Sequence, residues 1–285
     1  MTVKESWVSV REALDEKGIV DASLEAEILV RWVVNSDRTG FFSSLDRNLS
    51  RAQEVLINNL IDRRIAGEPL AYILCSREFY GLVFYVSPSV LIPRQETELL
   101  VDKALDYIGS CDVENPTVAD VGTGSGAIAV AITSRVPEAV IYAIDYSRKA
   151  LLVAHVNRCR YSVVNTVHLI QSDLLAGLQA SVNIIVANLP YISTAEMRKI
   201  PDDVAQEPWQ ALHGGIDGLE VTRCLIQQAP SHLMPGGQLL LEIAPQQLHS
   251  VLRAMHETFP GGYVSFARDL LGFPRVVAAQ LPESW

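Results

Sequence analysis

Asp120-Val121-Gly122-Thr123-Gly124-Ser125-Gly126 is the stretch on which the fold turns. It follows a short apolar run, 117–121, and opens a helical stretch, 127–135, so three glycines stand where a strand becomes a helix. In that context a glycine-rich loop lets a ligand approach the backbone closely. The spacing is G-x-G-x-G. It is neither the G-x-G-x-x-G that cradles a pyrophosphate nor a phosphate loop, which would need a following Lys-Ser/Thr. A nucleoside with a small charged tail and no phosphate fits it better.

Outward from this loop, strand and helix signals alternate. Strands are predicted at 117–121, 140–144, 167–171, 183–187, 238–243, 263–267 and 276–279, with helices at 127–135, 148–157, 219–233 and 245–257. That alternation predicts an α/β fold, a seven-stranded, mostly parallel, doubly wound Rossmann-like sheet, with ligands at the carboxyl ends of its strands. The last two strands, close in sequence, suit an antiparallel edge pair.

Three acids end successive strands: Asp120, Asp145 and Asp173. A carboxylate at the second strand end can accept both ribose hydroxyls, one at the third an adenine amino hydrogen, and one at the first can sit near an ammonium or sulfonium. Each alone could be a helix cap. Together, beside G-x-G-x-G, they describe S-adenosyl-L-methionine.

A fourth strand ends in Asn188-Leu189-Pro190-Tyr191. A polar amide followed by a proline and an aromatic ring can form a stiff rim that holds a planar group, although Asn and Pro also make ordinary turns. Glu96 and Glu98, ahead of a helical stretch, are open to capping or to a ligand-facing role.

The first part of the chain reads as a small helical domain. In 21–35, Leu24, Ile28, Leu29, Trp32 and Val33 are expected to share the buried face, with Asp21 or Ser23 as N-cap. Ser50 and Gln53 fit a capping box for a helix that ends before Gly67. Phe79, Tyr80, Val83, Phe84, Tyr85 and Val86 around Gly81 predict a hairpin between two domains.

Composition narrows the function. The formal charge of -10 is spread along the chain, and Lys/Arg clusters do not exceed pairs such as Arg63-Arg64, so direct binding to nucleic acid is not expected. No apolar run is long enough to span a membrane and Met1 to Ser6 lacks a signal-peptide core, so a cytoplasmic protein without membrane contact is expected. The four cysteines and six histidines show no metal-ligand spacing; no metal site is expected, and all six histidines read as ordinary surface or core residues.

Further segments carry a resemblance: Gly67-Glu68-Pro69-Leu70-Ala71-Tyr72-Ile73, Glu78-Phe79-Tyr80-Gly81-Leu82, Ile92-Pro93-Arg94-Gln95-Glu96-Thr97-Glu98, Glu207-Pro208 and Gly214-Gly215-Ile216-Asp217-Gly218-Leu219. With the glycine loop and Asn188 to Tyr191, they make nearly the whole chain resemble the PrmC/HemK family of protein-(glutamine N5) methyltransferases. The resemblance implies a methyltransferase sheet at 93–285, a hairpin linker at 76–92 and a helical substrate-docking domain at 1–75. It implies methyl transfer from S-adenosyl-L-methionine, leaving S-adenosyl-L-homocysteine, to the glutamine of the Gly-Gly-Gln motif in class I peptide chain release factors. A monomer is expected.

By the same resemblance, Gly122, Thr123, Gly124, Ser125, Gly126 and Asp145 hold the cofactor, with Asp120, Asp173, Leu174 and Asn188 completing its site. Leu174 stands where the family often has an aromatic residue, so adenine packing should be aliphatic. The substrate amide falls to Asn188, Leu189, Pro190 and Tyr191, with Asn188 and Tyr191 catalytic. The family pattern there is Asn-Pro-Pro-Tyr. Leu189 keeps the backbone carbonyl that would accept an amide hydrogen but gives up a fixed φ, which predicts retained activity and a looser rim. Two other readings stay open: amino-methylation of adenine in nucleic acid, and a non-catalytic module that binds translation factors.

Overall fold

The computed structural model describes residues 1–111 and 113–284; Trp285, the last residue of the expected 93–285 domain, lies outside the described residues. The chain divides into two compact units, Met1–Ser76 with Asp202–Gln206, and Arg77–Pro201 with the chain from Glu207 onward.

The first unit is helical: α1 (Val3–Glu16), α2 (Ala22–Val34), α3 (Arg38–Ser43), α4 (Arg51–Ile65) and α5 (Leu70–Ile73). Its helix ends follow local chemistry. Ser50 accepts from the Gln53 amide at 3.2 Å while Gln53 accepts from the Ser50 amide at 3.0 Å, a reciprocal capping box. Asp21 is the N-cap of α2 without a side-chain cap bond. The buried face of α2 differs from the expected one. Ala22, Ala26, Leu29, Val30 and Val34 face the core, whereas Leu24 is 52% and Trp32 47% exposed. The i, i+4 row of large side chains lost to a row led by alanines, because α1 packs closely on α2 and small residues allow that approach.

In the second unit, β1 (Arg77–Phe79) and β2 (Leu82–Phe84) form a hairpin whose turn residues Tyr80 and Gly81 have φ of 52° and 72°. Both central residues lie at positive φ, as the tightest hairpin turns require. Phe79 and Phe84 are fully buried among residues of α6 (Glu98–Ser110) and α7 (Ala127–Arg135), so the segment read as a linker is part of this unit's core. Glu98 caps the hairpin, accepting from the Tyr80 amide at 2.8 Å.

The remaining elements are β3 (Thr117–Val121), β4 (Val140–Asp145), α8 (Arg148–Arg160), β5 (Val167–Gln171), β6 (Val182–Ala187), α9 (Trp209–Leu212), α10 (Glu220–Gln228), β7 (Leu233–Glu242), α11 (Leu248–Thr258), β8 (Tyr263–Arg268) and β9 (Pro274–Gln280). Seven strands make one sheet in the order β5-β4-β3-β6-β7-β9-β8, parallel except for β9, which runs antiparallel to both neighbours. From Ile184 onward the side chains of β6 alternate between faces: Ile185 and Ala187 pack with α10 and α11, and Ile184 and Val186 with α6 and α7. Cover on both faces is why these strands read as mainly apolar runs. The helix expected at 219–233 stops at Gln228, where Ala229–Ser231 tightens into a 3-10 turn containing Pro230. Among the described residues no helix is long and apolar enough to cross a membrane.

Strand order positions the site. The chain winds outward from β3 through β4 to β5, then returns to lay β6 on the other side of β3. That reversal is a topological switch point, where a crevice opens at the carboxyl edge. The pairing Val121↔Ala187 sets Gly122 beside Asn188, and Ala187↔Leu241 sets Asn188 beside Glu242.

Candidate active site

A cavity of about 490 Å³ lies at this crevice, within the size range of small-molecule sites. One wall is the glycine loop: Gly122, Thr123, Gly124 and Ser125. The amides of Gly122 and Thr123 both donate to the Ile144 carbonyl at 2.9 Å, folding the loop back over β4. Asp145, at the end of β4, accepts from the Gly124 amide at 2.9 Å and the Ser147 amide at 2.8 Å. Its carboxyl pKa is raised by burial, against those two hydrogen bonds. Asp173 and Leu174 continue the wall, Leu174 at φ 46°, a left-handed conformation uncommon for a leucine. Ile144, Ala150, Val90 and Leu91 supply apolar surface.

The opposite wall is Asn188, Leu189 and Pro190. Asn188 donates through Nδ2 to the Thr97 hydroxyl oxygen at 3.0 Å, and its Oδ1 is buried with no partner among the described residues. Leu189 is buried, and a Cβ added to Gly122 would lie 3.2 Å from its Cδ2. The leucine is thus packed over the first loop glycine.

Three residues expected at the ligand stand behind the wall. Asp120 is fully buried beneath the loop, where Oδ2 accepts from the Thr123 hydroxyl at 2.6 Å and the Ala129 amide at 3.2 Å. It ties the loop to α7. Gly126 meets α8, its virtual Cβ 3.2 Å from Ala154 Cβ, so it serves helix packing. Tyr191 does not line the cavity; it lies near Glu242, Arg94 and Arg275, and burial, then the charge of Glu242, pushes its pKa up to about 12.

Burial also pushes Asp120 and Glu242 up to about 7, against hydrogen bonds from Thr123 and Thr97 respectively. A carboxyl whose pKa is raised by folding holds more protons folded than unfolded between about pH 4 and 7, so its contribution to stability is present below the unfolded pKa and lost as pH rises. Thermal melting of the ligand-free protein should show this as a decline in Tm from about pH 4 to 7 that Asp120→Asn makes shallower. An unchanged slope in that variant would remove Asp120 as a cause.

Several supports carried no sequence signal of their role. Gln247 Nε2 bridges the carbonyls of Tyr191 at 3.0 Å and Gly218 at 3.1 Å, and the Gly214 amide donates to Ile192 O at 2.9 Å. The Gly214 to Leu219 motif thus clamps the backbone beyond Pro190. Glu207 accepts from the Ile92 amide at 2.9 Å and from Arg94, fixing the segment that delivers Thr97. Asn157 links the Ser125 carbonyl, at 2.8 Å, to Tyr85. His213, read as an ordinary residue, lines the cavity, stacked on Trp209 at 4.7 Å between ring centroids.

Comparisons with known proteins identify the family. Residues 7–74 match the PrmC N-terminal domain and residues 97–216 the methyltransferase small domain. The chain is 41% identical over 252 residues to a release factor glutamine methyltransferase of Moorella thermoacetica, covering 88% of each. It is 36% identical to one of Geobacter sulfurreducens, over 99% of this chain and 100% of that one. A solved methyltransferase of Pyrococcus furiosus shares the fold at a TM-score of 0.52 and 17% identity, over 79% of this chain and 99% of that one.

Proposed function

The chain belongs to the release factor glutamine methyltransferases, and from that premise we propose that it methylates the side-chain amide nitrogen (N5) of the glutamine in the Gly-Gly-Gln motif of class I peptide chain release factors. It is an S-adenosyl-L-methionine-dependent methyltransferase. The observation that carries the substrate reading is the buried, unpartnered Oδ1 of Asn188 on the cavity wall. A buried acceptor without a donor is costly, by roughly 1–3 kcal/mol, unless a ligand supplies one. A glutamine amide brings two N–H donors.

The residues present fit the cofactor. A loop in which Gly122 and Gly124 carry no side chain of their own, a carboxylate at Asp145 for vicinal hydroxyls, and Leu174 with Ile144 for an aromatic ring suit a nucleoside without phosphate. The bound cofactor supplies an electrophilic methyl group. Asn188 addresses the other half of the problem, because an amide nitrogen is a poor nucleophile whose lone pair is delocalised. Accepting one amide hydrogen at Oδ1, and the second at the Leu189 carbonyl, holds the nitrogen in one orientation and leaves one face open for in-line attack. No general base is required, since the nitrogen loses its proton after the new bond forms. The helical unit, with Leu24, Trp32 and Phe42 exposed, is the proposed docking surface for the release factor.

The direct test incubates the protein with S-adenosyl-L-methionine and a class I release factor and measures the mass of the Gly-Gly-Gln peptide. A gain of one methyl on glutamine is expected; an unmodified peptide beside an active control enzyme would refute the reading. Asp145→Ala should weaken cofactor affinity roughly 30-fold by calorimetry, the equivalent of one or two charge-assisted hydrogen bonds. Unchanged affinity would take Asp145 out of the cofactor site.

A further inference from the structure

Asn188 is useful to a substrate amide only in one of its two rotations. With the oxygen outward it accepts a hydrogen; turned over, it offers a second donor to a donor and repels it. The two rotations have nearly the same shape, so packing alone does not choose between them.

The choice is made behind the wall. Asn188 Nδ2 meets the Thr97 oxygen at 3.0 Å. Thr97 is buried at the end of the 3-10 turn Gln95–Thr97, and its hydroxyl is close enough to Glu242 to hold down a carboxyl pKa that burial raises. Glu242 is the last residue of β7, brought beside Asn188 by the Ala187↔Leu241 pairing, and it too is buried, with Oε2 unpartnered among the described residues. An ionised carboxylate only accepts. Above about pH 7, where Glu242 is ionised, the single hydroxyl hydrogen of Thr97 is therefore drawn to Glu242, and its oxygen accepts from Asn188. Read in that order, the chain runs from Asn188 to Thr97 to Glu242 and leaves Oδ1 as the end of the Asn188 side chain that has no partner among the described residues.

Resting on the reading that Asn188 receives the substrate amide, we propose that Thr97 and Glu242 are positioning residues that fix the Asn188 side chain with its oxygen toward the substrate. A purely structural partner for Thr97 could be any neutral acceptor, and a buried carboxyl is a destabilising way to provide one. What the carboxylate adds is direction. A neutral amide in its place could donate as well as accept, and the chain of bonds could reverse.

The test uses the full-length protein with Thr97→Val, Thr97→Ser and Glu242→Gln. Thr97→Val should lower kcat about 30-fold, with KM for the release factor and affinity for S-adenosyl-L-methionine within about twofold; Glu242→Gln should lower kcat about tenfold. Thr97→Ser, which keeps the hydroxyl, should recover most of the rate. In parallel, the Asn188 side-chain NH₂ resonances, assigned through Asn188→Ala, should exchange with solvent faster in Thr97→Val and Glu242→Gln than in the parent. Unchanged kcat in both variants, or a loss confined to thermal stability and cofactor affinity, overturns the proposal. The exchange measurement needs no turnover: if the parent leaves the release factor unmodified, the substrate reading falls, while unaltered exchange in both variants would separately defeat the positioning role.

Discussion

Asn188→Ala is expected to slow methyl transfer to the release factor about a thousandfold while leaving affinity for S-adenosyl-L-methionine within about threefold. The size follows from what is lost. The variant removes the buried, unpartnered Oδ1 that would take an amide hydrogen, and it leaves Thr97 without its donor. Removing one preorganised hydrogen-bonding group from a site where charge develops typically slows the chemical step by about 10²–10³, and losing the aim of the nitrogen adds to it. Cofactor affinity is spared because the opposite wall is held independently. The glycine loop hangs on the Ile144 carbonyl and Asp145, not on Asn188. Single-turnover rates and calorimetry on the same preparation separate the two. A variant that loses cofactor binding as severely as rate would show that the two walls do not divide the work in this way.

The sheet was legible from the sequence because its strands are buried on both faces and alternate with helical stretches, so that short apolar runs such as Val182 to Ala187 fit parallel, helix-covered strands. What periodicity could not rank was two helical faces of similar character. In α2 the buried row is chosen by how closely α1 approaches, which depends on the partner and not on α2. The candidate site was legible as a set of motifs. Its geometry was not, because motifs give residue type and chain position but not which side chain turns into the crevice. Asp120 lies within β3 and points beneath the loop, Gly126 meets Ala154, and Tyr191 is past the point where the chain leaves the wall. Thr97 and Glu242 are far from Asn188 along the chain. Only the pairing of β6 with β7 and the anchoring of Ile92 and Arg94 by Glu207 bring them together.

Gly218→Ala is expected to lower kcat about a hundredfold and to reduce Tm, although Gly218 does not line the cavity. A Cβ at this position would lie 2.3 Å from the Tyr191 carbonyl oxygen and 2.9 Å from Gln247 Nε2, on a backbone at φ +76°. The first contact is with main chain, which cannot swing away as a side-chain tip can. Gln247 holds the carbonyls of Tyr191 and Gly218 together through one amide group, so relieving the clash separates them. Moving the Tyr191 carbonyl drags Pro190 and Leu189, and with them the Asn188 backbone, by a fraction of the distance that in-line transfer tolerates. Gly261→Ala isolates the conformational component: its φ is +75°, yet the nearest atom to an added Cβ is Pro282 Cγ at 3.8 Å. That control should lose roughly 1–2 kcal/mol of stability from the left-handed backbone and keep its kcat. If Gly218→Ala matched Gly261→Ala in both rate and stability, the clamp behind the rim would have no part in aiming the substrate. If instead it lost rate while keeping cofactor affinity, the reactive geometry would be shown to depend on backbone contacts behind Tyr191 as well as on the Asn188 side chain.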